Sequence, residues 1–154
     1  MFHSRSYARD LRCIGQELKD RDLEVFQIKS HAGEYRLQAG EPVPPYTGLI
    51  EINYSEQILE AIDQRGQARR GKAANETSFD SMAEILRAVG EYVDKNGFLR
   101  RIDNSCSPVA DQTAIEIEYQ TRSGEVCSEI LPMNVLREAI IRMHKRRSRL
   151  GAVR

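Results

Sequence analysis

The densest charge in this chain lies near its end. Arg142–Arg149 reads RMHKRRSR and places five cations in eight residues: Arg142, Lys145, Arg146, Arg147 and Arg149. A smaller cluster, Arg65, Arg69, Arg70 and Lys72, follows an earlier helical pattern. Lysine and arginine neutralise phosphates and release their counterions, and an arginine fork can hold two phosphate oxygens at once. The chemistry these residues suit is electrostatic anchoring of nucleic acid or another polyanion. The same residues also have a purely structural use, because cations near a helix C-terminus complement its dipole.

No other set of side chains is arranged for reaction. His3 lies in the first few residues, His31 in a turn and His144 in the basic run, without a Ser, Cys or Asp placed to make a nucleophile and base. Cys13, Cys106 and Cys127 lack metal-ligand spacing. Cys13 and Cys127 fall in apolar patterns and are expected to be small buried residues. There is no glycine-rich phosphate loop. The expectation is a non-enzymatic binding protein with no cofactor or metal.

Composition limits the partners. The 154 residues carry 23 basic and 23 acidic side chains, so any grip on nucleic acid must come from local asymmetry rather than net charge. With 40% hydrophobic and 30% charged residues, the chain suits a folded soluble domain rather than a disordered one. No apolar run is long enough to span a bilayer, and MFHSRSYARDLR does not resemble a secretory signal. No membrane partner and a cytoplasmic setting with reduced thiols are expected.

The elements that would carry these residues follow from periodicity. Ser6–Leu18, SYARDLRCIGQEL, and Ser81–Val93, SMAEILRAVGEYV, match at five of thirteen positions: Ser6/Ser81, Ala8/Ala83, Leu11/Leu86, Arg12/Arg87 and Gly15/Gly90. Both have helical spacing, with Tyr7, Leu11, Ile14 and Leu18, and Met82, Leu86, Val89 and Val93, on one face. Ser6 and Ser81 are expected N-caps, Ser81 with Glu84 as a capping box. A glycine inside a helix costs roughly 1 kcal/mol against alanine, so Gly15 and Gly90 imply close backbone approach there.

After the first helix, Leu23–Ser30, Tyr35–Ala39 and Leu49–Tyr54 read as strands, with a turn at His31-Ala32-Gly33. Gly40–Gly48 is a proline-rich connector whose Pro42–Pro45 spacing resembles a PxxP ligand. Glu56–Arg65 reads as a helix with Ile58, Leu59 and Ile62 inward, capped by Ser55. In the second half, Phe79–Asn96 reads as a helix ended by Gly97, and Phe98–Asp103, Thr113–Thr121 and Glu125–Leu131 as strands. Pro132 would open a final helix with Val135, Leu136, Ala139, Ile140 and Met143 inward. The fold class expected is α+β, a tandem pseudo-repeat of αβββα units whose antiparallel sheet has helices on one face. The units would span 1–65 and 79–150, joined by the polar segment 66–78 and followed by a tail, 151–154.

Three further residue groups have an everyday reading. Arg12 and Arg87, beside the apolar face of each helix, are expected to pair with carboxylates rather than form an anion site. Tyr35, Tyr54 and Tyr119 share a face with apolar neighbours and are expected in the core rather than stacking on bases. The outward row, Glu34, Arg36, Glu51, Asn53, Glu116 and Glu118, would meet solvent or a partner.

One αβββα unit resembles a double-stranded RNA-binding domain in element order. That family reads duplex RNA with a lysine-rich start to its last helix. Here the corresponding starts are Ser55-Glu56-Gln57 and Pro132-Met133-Asn134, and the cations sit at the other end, so the resemblance stops at topology. Two functions follow: a polyanion-binding protein acting through Arg142, Lys145, Arg146, Arg147 and Arg149 with Arg69 and Arg70, or a protein-interaction module that self-associates, for instance as a homodimer.

Overall fold

A serine oxygen starts the first helix. Arg9 N donates to Ser6 Oγ at 3.1 Å, which satisfies one of the free N–H groups of the opening turn. The computed structural model describes residues 6–40, 49–70, 82–103 and 114–152. In chain order the elements are α1 (Tyr7–Asp20), β1 (Glu24–His31), β2 (Glu34–Gly40), β3 (Ile50–Tyr54), α2 (Glu56–Arg70), α3 (Met82–Asn96), β4 (Gly97–Asp103), β5 (Ala114–Thr121), β6 (Val126–Pro132) and α4 (Met133–Ala152). Among the described residues, four helices and one six-stranded antiparallel sheet make this an α+β protein.

The sheet runs β3-β2-β1-β4-β5-β6. Two three-stranded ribbons therefore meet at β1 and β4, where Ile28 pairs with Ile102. Each ribbon carries a bulge next to this seam, between Val25 and Gln27 in β1 and between Leu99 and Arg101 in β4. A bulge inserts one residue and breaks the period-two pattern of the strand. The turn between β1 and β2 is tight, with Ala32 and Gly33 both at positive φ, the geometry that suits a two-residue hairpin.

Alternation sorts the side chains. Val25, Ile28, Tyr35, Leu37, Ala39, Leu99, Ile102, Ile115, Ile117 and Tyr119 are buried, while Glu34, Arg36, Gln38, Glu51 and Arg100 on the opposite face are exposed. The helices thus cover one face of the sheet. α1 and α3 form the centre of that layer, packed on each other with Leu11, Ile14, Leu18, Leu86, Val89 and Val93 in the core. A Cβ at Gly15 would lie 2.6 Å from Ala83 Cα, so the backbones approach as the glycines imply. α2 packs on α1, and α4 packs on α3 and β6.

Several expectations need correction. α2 runs to Arg70, five residues into the expected joint. Ile58 is 46% and Val135 is 45% exposed, although both fit the apolar stripes of their helices. Pro132 pairs with Ala114 as the last residue of β6, and α4 begins at Met133. An edge strand tolerates a proline because its outer N–H is not needed by a neighbour. Cys127 is half-buried rather than buried. The PxxP segment, Cys106, the Ser81 cap and the remainder of the joint lie outside the described residues.

Candidate functional site

α4 follows β6 without a loop and docks through Leu136 and Ile140, both buried, four residues apart. Met143 continues that side of the helix, with Arg87 Nη1 of α3 against its sulfur. The opposite side faces solvent and carries Arg142, Lys145 and Arg146. Their spacing of three and four residues places them as neighbours on one helical face. Arg142 Nε donates to the Glu138 carbonyl at 3.4 Å, and among the described residues no ion pair engages any of the three. Three adjacent cations on one exposed face form a surface that an extended anion can contact. The positions of Arg147 and Arg149 lie within the same helix.

The second basic cluster starts elsewhere. Arg69 and Arg70 are the last two residues of α2, and Arg65 is exposed one turn earlier. α2 follows β3 and α4 follows β6, the two opposite edges of the sheet. The side chains of Arg69, Arg70, Arg147 and Arg149 lie outside the described residues.

Behind this surface the buried charges are structural. Arg87 and Glu84 are both buried in α3 and paired with each other, and Arg12 Nε of α1 lies 4.0 Å from the same Glu84 carboxylate. Arg12 and Arg87 therefore converge on one carboxylate, as the carboxylate-pairing expectation holds. Glu84, read from the sequence as part of a capping box with Ser81, makes these pairs, and Ser81 itself lies outside the described residues. Asp63 of α2 accepts from Arg9 Nη2 at 2.5 Å and from Cys13 Sγ at 3.7 Å, tying α2 to α1. Burial, reinforced by the Asp63 charge, pushes the Cys13 thiol up to about 11, so it is a protonated thiol at neutral pH rather than a nucleophile.

Tyrosines close the other networks. Tyr35 donates to Asp10 Oδ2 at 2.8 Å. Tyr92 and Tyr119 both donate to Glu129, and their rings meet edge to face at 6.2 Å. The hydrogen bond to Glu129, followed by burial, raises the Tyr92 hydroxyl well above its usual range. For Tyr119, burial comes first and Glu129 second. Tyr35, Tyr54 and Tyr119 all sit in the core, as their alternation implies. Among the described residues no three His, Cys, Asp or Glu side chains gather as metal ligands, and no helix is long and apolar enough to cross a membrane.

Sequence reasoning passed over one feature. Val126, Ile130 and Phe98 are exposed apolar residues near the β6 edge. Their signal was present: β6 alternates Val126, Ser128 and Ile130 on one face with Cys127, Glu129 and Leu131 on the other, so both faces carry apolar groups. No family model, no curated protein and no solved structure matches this chain.

Proposed function

We propose that this is a non-enzymatic binding protein, cytoplasmic in setting, that holds nucleic acid or another polyanion along the exposed face of α4. The observation that carries this reading is the trio Arg142, Lys145 and Arg146, adjacent on one helical face and unengaged by ion pairs among the described residues. Such cations gain from phosphate contact through counterion release without needing a shaped pocket. The test is binding of labelled duplex and single-stranded oligonucleotides across a sodium chloride series. Affinity that falls as salt rises supports the reading, and no binding at low ionic strength overturns it.

The scaffold behind the surface is read as a tandem pseudo-repeat of αβββα units. Strand registers support it. Val25 pairs with Ala39 as Leu99 pairs with Tyr119, and Leu37 pairs with Ile52 as Ile117 pairs with Glu129. The contact of Gly15 on Ala83 is answered by that of Gly90 on Ala8. These are the reciprocal contacts expected of two like units related by a local twofold axis.

A second reading, self-association, has its own support. Both sheet edges are open among the described residues, and each lies beside exposed apolar groups: Leu49 and Ile58 by β3, Val126 and Val135 by β6. Sedimentation separates the two readings. A monomer that binds oligonucleotide favours the first, and a dimer indifferent to it favours the second.

A further inference from the structure

The two edges of the sheet are not equivalent. The outward face of β3 carries Glu51 and Asn53, and Glu51 is already paired with Arg36 on β2 at 3.2 Å. The outward face of β6 carries Val126, Ser128 and Ile130. Val126 is 51% and Ile130 is 67% exposed, on a strand that has no neighbour on its outer side among the described residues. Native proteins commonly blunt such an edge with charge or proline in the middle of the strand. Here Pro132 lies at the very end, and the one charged residue, Glu129, points to the helix side, where Tyr92 and Tyr119 hold its carboxylate.

The β6 edge complements itself. When two copies of β6 pair antiparallel about Ser128, Val126 of each meets Ile130 of the other, and Ser128 meets Ser128. Apolar cross-strand pairs of this kind stabilise a sheet, and the central serine brings no like charge together. On the helix side Cys127 would meet Glu129, whose charge is already engaged. Phe98, Gln120 and Val126 form one row across β4, β5 and β6, so an Ile130 from the second copy would extend it. The molecule already joins two three-stranded ribbons in this way, at the antiparallel β1–β4 seam around Ile28 and Ile102. A β6–β3 contact between copies would instead be head-to-tail and would not close with two.

We infer that the β6 edge is a homodimer interface, in which two copies pair antiparallel about Ser128 to form one continuous twelve-stranded sheet. This inference rests on the self-association reading and names its surface. It is independent of whether α4 binds polyanions.

Sedimentation equilibrium of the full chain, unmodified and with β6 substitutions, tests it. The unmodified chain is expected to dimerise. Val126→Glu and Ile130→Lys each place a charge opposite an apolar residue and are expected to weaken the dimer by tenfold or more, with the circular dichroism spectrum unchanged. The double variant V126E/I130K places opposite charges across both pairs and is expected to recover the dimer. A monomeric unmodified chain at all concentrations overturns both the self-association reading and this interface. A dimer unaffected by either single substitution overturns the β6 interface and leaves self-association through another surface. Single variants that dissociate without recovery in the double variant overturn the register about Ser128.

Discussion

Gly90 faces Ala8 so closely that a Cβ on the glycine would sit 2.4 Å from the Ala8 backbone nitrogen. One turn on from Gly90, Asp94 accepts from Tyr7 N at 2.8 Å and from Ala8 N at 3.2 Å, capping α1 with a carboxylate from α3. The missing side chain and the cap are one arrangement: the helix end can reach Asp94 because nothing projects from Gly90. Gly90→Ala is expected to destabilise the fold by about 1–3 kcal/mol through overpacking, outweighing the roughly 1 kcal/mol that alanine gains in helix propensity. Gly15→Ala should behave alike, since its Cβ would meet Ala83 backbone. Urea unfolding measures both, and a midpoint that stays or rises would contradict the close approach.

The cap itself can be separated from the glycine. Asp94→Ala removes both acceptors and the negative charge at the α1 N-terminus, and a loss of about 1–2 kcal/mol is expected. Asp94→Asn keeps an acceptor and should lose less. Equal losses in the two variants would mean that the carboxylate charge, rather than the hydrogen bonding, dominates there.

Much of this arrangement was legible in residue spacing, and the reasons for the rest are physical. Apolar periodicity located the ten elements of the described residues, because a helix or strand must bury one face wherever it packs. The helical glycines Gly15 and Gly90 imply close backbone contact, and both make it. Periodicity reads Ile58 and Val135 as inward, yet both are exposed, because it cannot say how much of a stripe the neighbouring elements cover. That Arg12 of α1 and Arg87 of α3 share the Glu84 carboxylate was not legible, because it depends on which helix faces which. The basic clusters were visible as runs of letters. That α2 and α4 leave opposite sheet edges was not, because strand order is not written locally.

The pair Arg87 and Glu84 makes a sharp prediction. Both are buried, so removing Arg87 takes the nearer cation from the Glu84 carboxylate in a poorly solvated place. Arg87→Ala is expected to cost about 3–5 kcal/mol. Arg12, farther from Glu84 and partly exposed, should cost under about 1 kcal/mol on change to alanine. Replacing Arg87 and Glu84 together by methionine and leucine should cost much less than the two single losses added. Additivity in a double-mutant cycle would show that the two do not interact.

Stability should fall on the alkaline side. The Cys13 thiol is raised from 9.0 to about 11, so the folded form holds its proton where the unfolded form releases it. That contribution is complete below pH 9 and is lost as pH rises through about 11, with a size on the order of 1–2 kcal/mol. Tyr92 and Tyr119, also raised, extend the decline above pH 10. Cys13→Ala should flatten the decline between pH 9 and 10 and leave the tyrosine loss above pH 10. An unfolding midpoint with the same alkaline slope in both proteins would show that Cys13 does not titrate as its surroundings require.

The proposed anchoring by α4 makes a quantitative prediction. Each phosphate neutralised on duplex DNA adds about 0.9 to the slope of log affinity against log salt. A variant with Arg142, Lys145 and Arg146 all changed to alanine should bind oligonucleotides more weakly and show a slope smaller by about 2 to 3. These side chains are exposed, so the unfolding midpoint should move by no more than the equivalent of about 0.5 kcal/mol. The loss should be similar for unrelated sequences, because phosphate contacts do not read bases. An unchanged slope would place the binding surface away from this face of α4. A changed slope with strong preference for one sequence would mean that base contacts, not the three cations alone, set the affinity.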